Sequence, residues 1–205
     1  MKGVIIVGNN LSPLLAKEEC KDAFVIGADK GALYCYNNSI PMDIAVGDFD
    51  SLNEEERTCV CVFAKKVVKL NPVKDDTDTA HALSLLGNCD EVTILGGIQG
   101  KRIEHFLAIL DLLAKDSRVS LKDDSSYLNV LLPGEYVLEK GVYQFFSIFA
   151  IEDSLVSLEG FAYPLDDFTL KRLDPLGVSN QINGEKARII LKKGKLLLIR
   201  SKSDS

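Results

Sequence analysis

The feature that most constrains this chain is a change of texture at the polar link Lys122-Asp123-Asp124-Ser125-Ser126. Before it, short apolar runs alternate with helix-like stretches, the βαβα order that a parallel sheet covered by helices produces. After it come short β-type runs separated by Gly, Pro and Asp turns, with no helical period past residue 125. The pattern predicts two domains. Residues 1–122 should form an α/β domain with a parallel Rossmann-like sheet, and residues 126–205 an all-β, sandwich-like domain or flattened barrel.

In the first part, strands are expected at 3–7, 23–28, 43–46, 66–70, 91–95 and 119–121. A helix is expected over 102–115, where Ile103, Phe106, Leu107, Leu110 and Leu113 make one apolar stripe. Another should begin near Asp76-Thr77-Asp78, whose side chains can accept hydrogen bonds from a free first turn, and carry Leu83, Leu85 and Leu86. In the second part the β-type runs are 141–150, 154–158, 186–191 and 195–200.

A chain of 205 residues, 46% hydrophobic, buries roughly 70% of its unfolded surface and needs neither disulfide nor structural metal to hold a core. Cys59 and Cys61 flank one residue, Cys20, Cys35 and Cys89 are scattered, and no CxxC or zinc-type Cys/His spacing occurs. Five reduced thiols in a cytoplasmic protein are therefore expected. The opening MKGVIIVGNNLSP lacks the long apolar stretch of a signal peptide, and no run approaches the 18 or so residues of a membrane helix. With a net charge of -6 and no Lys/Arg block, neither nucleic acid nor an anionic membrane is expected as the main partner. Small-molecule chemistry is the better expectation.

Carboxylates cluster at the expected strand ends: Asp29 in GADKG, Asp48 and Asp50 in VGDFDS, and Asp75, Asp76 and Asp78 in KDDTDT. Ligands of open α/β sheets bind beyond the carboxyl ends of the strands, where each segment would put its acids. Two unit charges about 5 Å apart repel by roughly 3 kcal/mol at an effective dielectric of 20. A hard cation relieves that repulsion, and oxygen-only ligation beside a substrate phosphate suits Mg²⁺. Any one of these acids could instead be a turn or cap residue.

A second signal is Gly96-Gly97-Ile98-Gln99-Gly100-Lys101-Arg102, a glycine-rich turn from a strand into a helix. Its backbone N–H groups could approach phosphate oxygens, with the helix start adding favourable partial charge. It is neither GxxxxGK[ST] nor GxGxxG. Of the two histidines, His81 reads as a helix-surface or packed residue, while His105 follows the glycine turn and could touch a nucleotide. No HExxH or GxSxG occurs, which removes zincin and α/β-hydrolase readings.

Taken in order, GADKGALYCY, IPMDIAVGDFDSL, KDDTDTAHAL, GIQGKRIEHFLAIL, FSIFA, GFAYPLDDFTL and VSNQI resemble the thiamine pyrophosphokinase family over about residues 25 to 182. The resemblance implies transfer of a pyrophosphoryl group from ATP to the hydroxyethyl oxygen of thiamine, giving thiamine diphosphate and AMP. It also implies a homodimer, with thiamine between one subunit's α/β domain and the other's β-domain. By resemblance, Asp48, Asp50 and Asp78 are metal ligands for Mg²⁺, and Asp29, Thr77, Gly97, Gly100, Lys101, Arg102 and His105 contact the nucleotide. Asp78, Arg102 and Glu104 would be catalytic, and Ser147, Ser179 and Asn180 would line the thiamine pocket. The chain departs from the family's usual pattern at Glu104, where Asp is common, and at Gln181, where Glu is common. Ala80 and His81 stand where a further acid often occurs. Asp78, Asp75 and Glu104 all remain open as acceptors of the hydroxyl proton. Two alternatives stand beside this expectation: a pyrophosphokinase for another hydroxymethyl heterocycle such as a reduced pterin, and a non-catalytic nucleotide or thiamine-phosphate sensor.

Overall fold

A computed structural model of the chain describes residues 1–8, 11–71, 76–100 and 102–203. It divides into two compact units, one of residues 1–112 and 118–124 and one of residues 113–117 and 125–205.

The first unit runs β1 (Lys2–Ile6), α1 (Pro13–Glu19), β2 (Phe24–Ala28), α2 (Lys30–Asn37), β3 (Ile44–Gly47), α3 (Glu54–Phe63), β4 (Lys66–Lys69), α4 (Asp78–Ser84) and β5 (Glu91–Leu95). The 13-residue helix α5 (Ile103–Lys115) and β6 (Val119–Lys122) follow. All six strands lie within one residue of the runs expected from sequence. They form a parallel sheet in the order β6-β5-β1-β2-β3-β4. Val4, Ile5 and Ile6 of central β1 are fully buried, because a parallel strand between two helical layers has no polar face. The order reverses at β1, whose neighbours β5 and β2 diverge in connectivity, and a crevice opens beyond the carboxyl ends at such a switch point.

Local caps fix the helix starts. Ser12 accepts a hydrogen bond from Leu15 N and Pro13 opens α1. Asn53 and Glu56 close a reciprocal capping box on α3, and Thr77 accepts from Ala80 N at 3.1 Å to begin α4. Helix α4 is shorter than expected: Leu85 is already its C-cap. Leu86 leaves the helix and is buried on its own account, so helical spacing did not carry it.

The second unit contains β7 (Ser126–Leu131), β8 (Gly134–Glu139), β9 (Phe145–Glu159), β10 (Leu165–Leu170) and β11 (Lys186–Ser201), with one 3-10 turn at Pro175–Gly177. All pairings are antiparallel. The runs expected separately at 141–150 and 154–158 are one 15-residue strand, and those at 186–191 and 195–200 one 16-residue strand. Both strands bend where the β9–β11 register shifts between Leu191 and Leu196. The Ser154 hydroxyl stitches that irregularity, donating to Glu152 O and accepting from Lys195 N at 3.1 Å. On one side of the bend β11 pairs with β8, and on the other with β7. Residues from both halves, including Leu138, Ile189, Phe146, Ile148 and Leu198, share one core. The sandwich-like character thus comes from two strands that serve both halves.

Candidate active site

The carboxylate crevice is assembled by the ends of β2, β3 and β4. Asp29 follows β2 at φ 48, and its N–H donates to Val46 O at 2.9 Å. Its half-buried carboxyl group accepts from Phe49 N at 3.3 Å. Gly47, at φ +152, is required here, because a Cβ on it would run into the Asp29 carboxyl group. Burial pushes the Asp29 carboxyl up to about 7, with a hydrogen bond and charge from Asp78 and the charge of Asp48 acting the same way, while Phe49 N opposes them. Asp78 is the first residue of α4, so the structure brings Asp29, Asp48 and Asp78 into one electrostatic unit.

Asp48 Oδ1 accepts from Asp50 N at 3.0 Å, a turn that leaves Asp50 exposed. Across the crevice Asp29 pairs with Asp78; of the three residues expected to hold metal, Asp78 belongs to that pair, Asp48 adds its charge to it and Asp50 is exposed beside Asp48. Among the described residues no three His, Cys, Asp or Glu side chains already surround a common point for a metal. The donor set is nevertheless all oxygen, and a carboxyl pair that must share a proton to stay together suits a hard divalent cation in that proton's place. Asp75 and Lys101 lie outside the described residues.

Beside the carboxylates, a cavity of about 70 Å³ is lined by Val7, Thr77, Thr79, Gly97, His105, Ala108 and Ile109. It sits at the switch point, between the end of β1 and the glycine turn after β5. Three residues singled out for nucleotide contact, Thr77, Gly97 and His105, converge on it. Gly97, at φ +86, leaves no space for a side chain: a Cβ would lie 2.8 Å from Ile109 Cδ1 and 2.9 Å from Val7 Cγ2. Gly100 faces open space.

Arg102 and Glu104 are both exposed and bond to each other, Nε to Oε1, at 2.6 Å. That hydrogen bond holds the Glu104 carboxyl below its ordinary value. Sequence reasoning missed Thr79, Val7, Ala108 and Ile109. Thr79 follows two residues after Thr77 in the same first turn, a proximity that could have flagged it.

In the second unit, Ser147 Oγ accepts from Ser179 N at 2.9 Å, and Ser179 takes a positive φ of 57. Asn180 is buried and its amide is engaged. Oδ1 accepts from Tyr163 N and Gln181 N, Nδ2 donates to Tyr163 O at 2.8 Å, and its backbone bridges Phe146. The three residues expected to line a thiamine pocket are thus neighbours, with Asn180 framing the other two.

Comparison with known proteins agrees with these motifs. Residues 16–122 match the family model described as "Thiamin pyrophosphokinase, catalytic domain", and residues 135–196 match "Thiamin pyrophosphokinase, vitamin B1 binding domain". The chain is 32% identical over 212 residues to a protein of Bacillus subtilis named thiamine pyrophosphokinase, covering 98% of this chain and 99% of that one. A crystal structure of thiamine pyrophosphokinase from Bacillus subtilis superposes with a TM-score of 0.87 at 29% identity, over 99% of this chain and all of the other. A family member from Enterococcus faecalis gives 0.87 at 26% identity, with both chains covered throughout. Yeast thiamin pyrophosphokinase shares the fold at 15% identity, with a TM-score of 0.80 over 98% of this chain and 86% of that one.

Proposed function

The chain belongs to the thiamine pyrophosphokinase family, and from that premise we propose that the crevice beyond β2, β3 and β4, with the cavity beside the turn after β5, is where its reaction takes place. The enzyme transfers a pyrophosphoryl group from ATP to thiamine, giving thiamine diphosphate. The observation that carries the assignment is the pairing of Asp29 with Asp78, on which the charge of Asp48 also acts, beside a cavity lined by Thr77, Gly97 and His105.

In this reading the thiamine hydroxyl oxygen attacks the β-phosphorus of ATP. The bond from that phosphorus to the oxygen bridging the α- and β-phosphates breaks, and AMP leaves with the bridging oxygen. Such a transfer depends on charge neutralisation and in-line alignment more than on covalent chemistry. Asp29, Asp48, Asp50 and Asp78 would hold Mg²⁺, which when bound neutralises phosphate charge. Arg102 steadies the anionic group being transferred. Glu104, whose charge is committed to Arg102, is the weaker base, so the acceptor of the hydroxyl proton is Asp75 or Asp78. Ser147 and Ser179, framed by Asn180, contact thiamine, and the vitamin B1 binding domain match over residues 135–196 supports thiamine over another heterocycle.

We also place the protein in the cytoplasm as a homodimer. Five free cysteines support the compartment, and among the described residues no helix is long and apolar enough to cross a membrane. The deciding experiment is a mass-resolved assay of the purified protein with ATP, Mg²⁺ and thiamine. Thiamine diphosphate and AMP should appear in equal amounts and vanish with EDTA. AMP without a thiamine product would overturn the assigned acceptor.

A further inference from the structure

The cavity at the switch point has a mixed lining. Val7, Ala108 and Ile109 are apolar, while Thr77, Thr79 and His105 carry polar groups, with His105, Ala108 and Ile109 on one face of α5 and Thr77 and Thr79 at the start of α4. Those polar groups are largely uncommitted. Thr77 Oγ accepts from Ala80 N, which leaves its hydroxyl hydrogen free. The Thr79 hydroxyl and the His105 imidazole make no hydrogen bond among the described residues. Gly97 closes the floor with no slack toward Ile109 or Val7. At about 70 Å³ the space exceeds what one water needs, and a polar cavity lined by several unspent donors is normally occupied. It is far below the several hundred Å³ of a pocket for a whole drug-sized ligand. Its size and its lining fit one compact, oxygen-rich group.

We propose that this cavity takes a single phosphoryl group of the nucleotide and that Thr79, from the first turn of α4, is a contact to it, its hydroxyl and the His105 imidazole donating while Ala108 and Ile109, on the same face of α5 as His105, limit the size of the group. The identity of the nucleotide rests on the reading of the protein as an ATP-dependent pyrophosphokinase. The role of Thr79 adds to that reading, because within KDDTDT only the acids and Thr77 were assigned a function. Thr79 selects by donating one hydrogen bond to a charged oxygen, a bond whose loss is worth about 10- to 100-fold in affinity. The apolar lining selects by volume.

Three substitutions separate these contributions. Thr79→Val keeps the shape and removes the donor, Thr79→Ser keeps the donor and trims a methyl, and Ala108→Leu keeps every donor and fills the cavity. Titration calorimetry of the full chain would use ATP, AMP and inorganic pyrophosphate as probes, with steady-state KM values for ATP and thiamine alongside. ATP binding should weaken about 10- to 100-fold in Thr79→Val, recover in Thr79→Ser, and weaken in Ala108→Leu, while the KM for thiamine stays at the wild-type value. Loss of AMP affinity would place the α-phosphate in the cavity, and loss of pyrophosphate affinity would place the transferred group there; either supports the proposal. Unchanged binding of all three probes in Thr79→Val overturns it, as does an equal rise in the KM for thiamine. If the wild-type protein binds ATP but makes no thiamine diphosphate, the functional reading fails and the calorimetry still decides the role of Thr79.

Discussion

The carboxyl groups of Asp29 and Asp78 hydrogen-bond to each other, which requires that they share a proton when nothing else lies between them. The pair is destabilising by itself, since two carboxylates brought together repel, and in the proposed reaction a cation would take the place of the shared proton. Asp29→Asn keeps an oxygen able to accept from Phe49 N and removes one charge. Without divalent metal, its melting temperature should equal or exceed that of the wild type. Added Mg²⁺ should raise the wild-type melting temperature and leave that of Asp29→Asn unmoved, while thiamine diphosphate formation falls at least about 10²-fold. A variant that melts lower and still responds to Mg²⁺ would remove Asp29 from the metal site.

In the proposed reaction Arg102 meets the transferred group, and its Nε is tied to Glu104 at 2.6 Å. Arg102→Lys retains the charge and gives up the planar fork. Turnover should fall by about 10²-fold, with the KM for thiamine changing less than about threefold. Glu104→Asp withdraws the carboxylate by one methylene and should alter kcat with the KM for ATP unmoved. An effect confined to the KM for thiamine would place this pair on the other substrate.

Legibility from sequence followed how local each cause was. The six parallel strands were readable because each is a continuous apolar run with no polar face, as in Val4-Ile5-Ile6. The acidic strand ends were readable as clusters, and Asp48 and Asp50 are indeed joined, by Asp50 N on Asp48, whereas the approach of Asp29 to Asp78 depends on the fold and had no local signal. The long bent strands were illegible for the same reason. Ser154 and Lys195 are brought together only by the β9–β11 register, so nothing local told the reader that Glu152-Asp153 interrupts a run without ending its strand. Thr79 escaped notice because KDDTDT drew attention to its acids and to Thr77, and only the fold gathers Thr79, Gly97 and His105 around one cavity.

Glu19 supplies a test of pH dependence away from the active site. Its two oxygens meet Lys2 at 2.7 Å and Lys122 at 2.6 Å, which fastens the end of α1 to β1 and β6. Burial alone would raise its pKa, but hydrogen bonds from Lys122 and Lys2 and their charges outweigh it, and the carboxyl titrates below its ordinary 4.5. A value depressed in the folded state means that the stabilisation is complete above the unfolded value and is lost as pH falls through the folded one. Glu19→Gln should therefore cost about 1 kcal/mol at neutral pH, the upper end for partly exposed ion pairs. The gap between the two urea midpoints should hold steady down to about pH 5 and close below that. A gap that widens in acid would show that the pairing does not stabilise the fold.

Ser147 and Asn180 should separate binding from framing in the second unit. Ser147 spends its oxygen on Ser179 N and is half-buried, so its hydroxyl hydrogen is available to a ligand. Asn180 has both ends of its amide committed to Tyr163 and Gln181, and its backbone joins Phe146. Removing that amide leaves part-buried backbone groups unpaired, a loss of about 1–3 kcal/mol. Asn180→Ala should lower the urea midpoint accordingly, and should raise the KM for thiamine only because Ser179 loses its place. Ser147→Ala should leave stability within about 0.5 kcal/mol and raise the KM for thiamine several-fold at unchanged KM for ATP. Were Asn180 itself a thiamine ligand, its loss would cut thiamine affinity at wild-type stability, and the two roles would have to be exchanged.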